Sequence, residues 1–405
     1  MPGIRSSIKK WFAPAALALS MSATAQAEET SEARAAMLNL LDSIEQLQAK
    51  MLSPEFGVTT PDQVAEGQRA IAHVLETALF FWLEADPDRP AFKPYVTPTR
   101  KLLGDNPDSL YYFAPIRDDA RYRITGNIGA ATFTSITIER GSNDGHAAKG
   151  TISSISDNDM EIAPDGSYEI ILSRKKPKSG NWLKLEDGAS QVTTRHYHQA
   201  KLSVAADPNF EIDLSIEALD PPANTPYEGD KQVARSLNAV ANFVREHSMM
   251  ALMPPSAEMV GPLEWYSLEP NTFGPPGQWI SASDDVAYGN THAWYSAGSY
   301  QLAADEALVV EGVMPRTRFF NIVLWNHHMQ SYDFANRQIS INGEQIQLEE
   351  DGSFRIVIAH EDPGVPNWLD TEGRESGVVY WRYVFPVGTP APSKTRVVKL
   401  ADLKP

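Results

Sequence analysis

In "RHYH" two histidines, His196 and His198, stand two residues apart. On a strand that spacing points both imidazoles to one face, the beginning of many metal sites in β proteins, which a third histidine or a carboxylate completes. Spacing fixes no third ligand, so a divalent metal is the weaker expectation beside two histidines accommodated by a strand face. Further on, "LWNHHMQSYDF" gathers Trp325, His327, His328, Tyr332 and Asp333 after a predicted strand ending near Leu324. Adjacent histidines on a strand face opposite ways, so only one of His327 and His328 faces a given pocket. With Asp333 nearby, that imidazole is the leading candidate for a general acid or base, because imidazole titrates close to neutral pH. A polar loop at a domain interface is the competing reading. "HEDPGVPNWLDTEGRES" brings His360 together with Glu361, Asp362, Asp370 and Glu372. A carboxylate pair there would suit acid–base work on a glycosidic bond, and solvated loop charge is the plainer account. The segment from Gly261 to Gln278 is rich in Pro and Gly yet holds Trp265, Tyr266 and Phe273, with Trp279 next. So aromatic a loop must be packed down, as a lid, a pocket wall or a belt between domains.

Other chemistries lack support. There is no G-x-S-x-G elbow, P-loop, dinucleotide fingerprint or H-E-x-x-H. The absence of cysteine excludes disulfides, thiolate metal sites and a cysteine nucleophile. The net charge of −17 disfavours nucleic acid and anionic membranes as partners.

The elements that must position these residues are legible from periodicity. Arg5, Lys9 and Lys10 precede the apolar run "WFAPAALALSMSA", and "AQA" ends at Ala27, the pattern of a cleaved secretory signal. The run is too short to span a bilayer, so the expectation is an exported, periplasmic protein with no transmembrane segment after cleavage of residues 1–27. Met37, Leu40, Leu41, Ile44, Leu47 and Met51 recur at helical spacing. A second helix begins at Thr60, with Pro61 at its first position and Gln63 completing a capping box, and stops before Pro87. From about Tyr111 the period becomes two and holds to about Ala218. "DPPANTP" (Asp220 to Pro226) reads as a linker. A helix follows with Val233, Leu237, Val240 and Val244 on one face, ended by Pro254-Pro255, and the β pattern returns from Tyr288. A chain of 405 residues exceeds the usual growth of one core. The resulting division is a signal (1–27), a helical region (28–98), a first β unit (99–219), a linker with helix and aromatic loop (220–287) and a second β unit (288–405).

The two β units repeat each other. "DGSYEIILSRKKPKSGNWL" from Asp165 is echoed by "DGSFRIVIAHEDPGVPNWL" from Asp351. The same offset superposes Gly126 on Gly312, Phe133 on Phe319 and Ile136 on Ile322, and one extra residue then brings Arg195 onto Arg382. What both halves keep is most simply explained by the shared fold: a hairpin turn for Asp-Gly and burial for Trp182 and Trp368. The Asn-Trp-Leu and Arg pairs are sorted the same way, although two copies can also frame one site. What one half alone has is a candidate for function. The acids before Trp368 are replaced by Arg174, Lys175 and Lys176 before Trp182, so equivalent loops have opposite charge.

The stretches "LEADPDRPAF", "GDNPDSLYY", "YRITGNIG", "DGSYEIILS", "GNWLKL", "DEALVVEG", "AHEDPGVPNWLDTEG" and "TRVVKLADL" resemble the bacterial proteins carrying the domain of unknown function 1214. "GNTHAWYSAGSYQL" is similar to the associated domain 1254. The resemblance implies a β-rich fold of sandwich or jelly-roll units and a catabolic or ligand-handling setting, including steroid-like compounds. It implies no catalytic set.

Together these readings predict a mainly β protein with α: two tandem β-sandwich or jelly-roll-like units from an internal duplication, with N-terminal and inter-unit helices. The site is expected where the units meet, a usual place for ligand pockets. An enzyme or accessory protein would handle a small organic (steroid-like or aromatic) or carbohydrate ligand there. His327, His328 and Asp333 are the catalytic candidates, and Trp294, Trp325, Tyr332, His360, Trp265 and Trp279 the ligand contacts. The alternatives are a noncatalytic binding or assembly module and a metal enzyme using His196 and His198. Self-association is left open.

Overall fold

The computed structural model describes residues 31–223, 226–250, 263–278 and 288–403. The expected signal 1–27, the Pro254-Pro255 helix stop and Trp279 lie outside the described residues.

Among the described residues three α-helices form: α1 (Glu32–Met51), α2 (Pro61–Trp82) and α3 (Asp230–Met250). The capping box at α2 is present, Thr60 Oγ1 accepting from the Gln63 amide while the Gln63 side chain accepts from the Thr60 amide. The start of α1 is held from outside, the Asp230 carboxylate accepting from Ser31 Oγ and from the amides of Glu32 and Ala33. Helix α1 buries Ala36, Leu40, Ser43, Leu47 and Met51, whereas Met37 and Leu41, expected on that face, are exposed. Packing against α3, where Asn39 donates to Asn238, rotates the inward stripe toward the small side chains. Val233 of α3 is likewise exposed, and Ala234, Leu237, Val240 and Val244 face inward.

The first β unit contains β1 (Lys93–Pro94), β2 (Ser109–Pro115), β3 (Tyr122–Asn127), β4 (Phe133–Arg140) and β5 (Thr151–Ser156). It continues with β6 (Ser167–Ser173), β7 (Asn181–Lys184), β8 (Ala189–Tyr197) and β9 (Leu214–Ala218). The second contains β10 (Tyr266–Ser267), β11 (Gly277–Gln278), β12 (Ala293–Gln301), β13 (Glu306–Val313) and β14 (Phe319–Trp325). Its remaining strands are β15 (Ser340–Asn342), β16 (Ser353–Ala359), β17 (Trp368–Asp370), β18 (Ser376–Val384) and β19 (Lys394–Lys399). Sheet order β7-β6-β3-β9 recurs as β17-β16-β13-β19, and β2-β8-β4-β5 recurs as β12-β18-β14-β15. Both copies even keep the parallel pairs β6/β7 and β16/β17 within largely antiparallel sheets. The duplication is therefore one of topology as well as of sequence.

Shared residues have shared reasons. Gly126 lies across from Tyr168 and Gly312 across from Phe354; a Cβ on either glycine would come 2.7 Å from the ring's Cζ. Asn181 accepts from the Glu161 amide and donates to the carbonyls of Glu161 and Glu169. Asn367 does the same with Gln347 and Arg355. Each following indole donates to a strand carbonyl, Trp182 to Ser173 and Trp368 to Ala359.

Each unit is a two-sheet sandwich. In the first, Ile136, Ile138 and Val192 of the larger sheet pack on Ile124, Ile170 and Leu172 of the smaller. The opposite face of the larger sheet is not solvated: Phe133 and Tyr197 join the core of the second unit, with Tyr197 4.8 Å from Phe319. The sandwiches thus abut through the outer faces of their larger sheets, and β8 is buried at all nine positions despite its threonines, arginine and histidine. A bidentate ion pair from Arg318 to the buried Asp157 also joins them.

Candidate functional site

The seam takes its shape from two equivalent cross-strand rows. In the first unit Tyr111, Arg195 and Ser135 stand abreast on β2, β8 and β4. In the second, Tyr295, Arg382 and Asn321 stand abreast on β12, β18 and β14. Period-two alternation turns Thr193, Arg195 and Tyr197 of β8, and Tyr380 and Arg382 of β18, toward the space between the units. There they line a cavity of about 280 Å³.

Tyrosine and tryptophan rings recur around its wall. Trp325 stacks on Tyr380 at 4.3 Å, while Trp265 is 5.5 Å from Tyr295 and 5.7 Å, edge-on, from Tyr380. The Arg382 guanidinium lies over the rings of Trp325 (5.1 Å) and Tyr380 (4.7 Å). Helix α3 adds His247 and Met250. His247 Nδ1 donates to the Phe243 carbonyl (3.1 Å), which leaves Nε2 as the acceptor, 3.5 Å from Tyr288 Oη. Tyr288 Oη also accepts from the Ala148 amide and from Gln191. Burial depresses the His247 pKa to about 4 and pushes that of Tyr288 up to about 12, so both are neutral near pH 7.

The connector before β2 is the clamp on this wall. Gly104 (φ +76°) bonds its amide to the Met329 carbonyl and its own carbonyl accepts from Arg382 Nη2 at 2.7 Å. Trp325 Nε1 donates to the Asp105 carbonyl, and the Asp105 carboxylate accepts from the Ser331 amide and hydroxyl. Asp108 accepts from Ser203, Asn321 and Asn342. Lys101 Nζ donates to the carbonyls of Ser331 and Tyr332. Leu103 and Met329, both on the cavity wall, hold left-handed backbones at φ 45° and 52°, a strain that usually marks sites under other constraints.

The two arginines differ in their partners. Arg195 donates to Thr137 Oγ1 and the Tyr288 carbonyl. Its charge also favours ionisation of Glu139, whose carboxyl burial pushes upward. Arg382 has the Gly104 carbonyl, and its Nη1 has no hydrogen-bond partner.

Of the residues singled out in the sequence, Trp265 and Trp325 line the cavity. His327, His328 and Asp333 do not. His327 Nε2 lies 3.0 Å from Ser376 Oγ, His328 is buried against Gly67 of α2, and the exposed Asp333 carboxylate accepts from Asn336. Tyr332 is buried with its hydroxyl 2.7 Å from that of Tyr300 and the Arg374 guanidinium over its ring. His360 Nδ1 meets Thr371 Oγ1, and Trp294 is half-buried beside β11. His196 sits between Thr194 and Thr134 Oγ1 and His198 packs edge-on against Phe210, both with pKa values depressed by burial, to about 3 and about 4. No group of three metal-ligating side chains occurs among the described residues. The charges of these loops pair as Arg174 with Asp118 and Asp187, Arg337 with Asp370, and Arg374 with Glu372 and with Glu66 of α2. Sequence reasoning sorted Arg195 and Arg382 to the fold and did not single out His247 or the tyrosines Tyr95, Tyr111, Tyr197, Tyr288, Tyr295 and Tyr380 as site residues. The signal was present, an arginine repeated inside a strand of the duplicated core, and sorting shared residues to the fold set it aside.

The molecule is accordingly a tandem β-sandwich protein with an aromatic, arginine-bearing cavity at its internal seam. Residues 114–201 and 293–387, one stretch in each unit, match the family described as protein of unknown function (DUF1214). The chain belongs to that family and carries its domain twice. A crystal structure of an uncharacterized protein from Burkholderia cenocepacia is similar, with 29% identity and a TM-score of 0.78, covering 91% of this chain and 97% of that one. The VPA0106 protein from Vibrio parahaemolyticus aligns at 11% identity and a TM-score of 0.47, over 82% of this chain and 98% of that one. No curated protein matches the chain.

Proposed function

We propose that this is an exported ligand-handling protein that takes a small, largely apolar organic molecule into the seam cavity. The observation that supports the reading is the enclosed aromatic wall of Trp265, Trp325, Tyr295 and Tyr380 where the two units meet. A void of this size lies at the small end of ligand pockets, roughly 300–1,000 Å³. It suits a compact ring system better than a four-ring sterol or an oligosaccharide. A thermal-shift screen against aromatic, alicyclic and sugar compounds tests it. Compact ring compounds are expected to raise Tm in proportion to concentration over Kd; a screen in which only sugars, or nothing, shifts Tm refutes it.

A catalytic variant of the same reading draws support from His247, a neutral imidazole on the cavity wall whose Nε2 acceptor lies 3.5 Å from Tyr288 Oη. Mass spectrometry of incubations with the compounds that bind separates the two: turnover lost in His247→Gln with binding retained supports catalysis, and unchanged compounds support binding alone.

A further inference from the structure

Resting on that ligand-binding reading, we infer that the ligand carries a carboxylate and that Arg382 receives it. The duplication itself points to the missing partner. Glu139 stands four positions along β4 from Ser135, the cross-strand neighbour of Arg195; Trp325 stands four positions along β14 from Asn321, the cross-strand neighbour of Arg382. In the second unit a tryptophan occupies the position of the first unit's acid. The acid at that position feels the Arg195 charge, whereas the acids that feel the Arg382 charge, Asp105 and Asp108, come from the connector before β2.

Arg382 lines the cavity, is 4% exposed, and has neither an acid within ion-pair distance nor a partner for its buried Nη1 among the described residues. The nearest acids are committed elsewhere, Asp105 to Ser331 and the neighbouring Lys101, Asp108 to Ser203, Asn321 and Asn342. The rings of Trp325 and Tyr380 lie against the guanidinium and Nη2 donates to the Gly104 carbonyl, which leaves Nη1 unmatched among the described residues. Two more buried donors of residues lining the cavity, Asn290 Nδ2 and the Tyr266 hydroxyl, have no partner among the described residues. Buried polar groups are nearly always bonded, and a guanidinium edge matches the planar fork of a carboxylate. A monoanion suits one such edge better than a phosphate dianion, whose second charge would have to be desolvated without a counter-ion. The ligand's ring would then lie against Trp265 and Tyr295.

The test compares benzoate, 2-naphthoate and 4-phenylbenzoate with their primary amides by isothermal titration at pH 7.5, using the wild-type protein and Arg382→Gln. At least one acid is expected to bind roughly 10- to 100-fold more tightly than its amide, the range of a charge-assisted hydrogen bond. In Arg382→Gln that ratio is expected to fall to near one, and Arg382→Lys to keep part of it. If Arg382→Gln does not fold, the wild-type ratio decides alone. Equal binding of acid and amide overturns the carboxylate and leaves the cavity reading intact, whereas no binding by either series overturns both.

Discussion

Replacing Gly104 with alanine tests whether the connector sets the shape of the cavity. A Cβ at Gly104 would sit 2.7 Å from Trp325 Cη2, 3.1 Å from Cζ2 and 3.2 Å from Met329 Cε, so the indole must move by several tenths of an ångström. Trp325 is 1% exposed, stacks on Tyr380 and donates to the Asp105 carbonyl at 2.9 Å. The left-handed backbone at φ +76° costs alanine about 1 kcal/mol. Overpacking adds about 1–3 kcal/mol and a weakened indole hydrogen bond about 1 kcal/mol, for a loss of about 3–5 kcal/mol. Gly352 is the matched control: its φ is +79° and a Cβ there meets nothing within 4 Å, so Gly352→Ala should lose only about 1 kcal/mol. Urea unfolding of the two variants followed by circular dichroism measures the difference, and ligand titration should show weakened binding in Gly104→Ala alone. Equal losses in both variants would mean that the Trp325 wall yields freely and that the connector does not define the site.

Two further expectations concern the fold. His196 is buried with a pKa of about 3, below the value of about 6.5 it has in the unfolded chain. Unfolding between pH 6.5 and 3 therefore takes up a proton, and its contribution to stability is full above pH 6.5 and declines as pH falls toward 3. His196→Gln should flatten the fall in unfolding free energy between pH 7 and 5 by up to about 1.4 kcal/mol per pH unit; parallel curves for variant and wild type would contradict this. Asn181→Ala should cost about 1–3 kcal/mol by leaving three partly buried backbone groups unbonded. Asn367→Ala should cost about the same by another route, since its site is more exposed but its backbone is left-handed at φ 58°. Neither should alter ligand affinity, and a change in affinity would give these shared residues a role beyond the fold.

Local signals were the legible ones. The capping box at Thr60, the Asp-Gly turns and the repeat are each written in a few adjacent residues, and the structure carries them unchanged. The buried stripe of α1 was displaced because periodicity gives a helix's apolar arc but not which side of it a neighbour occupies. The cavity lies at the seam, and Trp265 and Trp325 line it. The histidines of "WNHHMQ" were conspicuous by residue type, but a loop sequence does not reveal which way it folds: these face α2 and Ser376. Arg382 carried the opposite difficulty, being inconspicuous because its duplicate shares it.

The duplication also explains why a site exists at the seam. A lone antiparallel sandwich keeps polar side chains on its outer faces, where water satisfies them. Two such faces pressed together remove that water, so every threonine, asparagine and arginine between them requires a protein partner. Most have one: Thr193 is matched with Glu139, Arg195 with Thr137 and the Tyr288 carbonyl, and Asn321 with Asp108. Arg382, Asn290 and Tyr266 keep unmatched donors on the wall of one cavity, while Asn106 Nδ2 and Asn321 Oδ1 are unmatched elsewhere between the units. Donors left over beside stacked aromatic rings are what a ligand with a polar end and an apolar body would match.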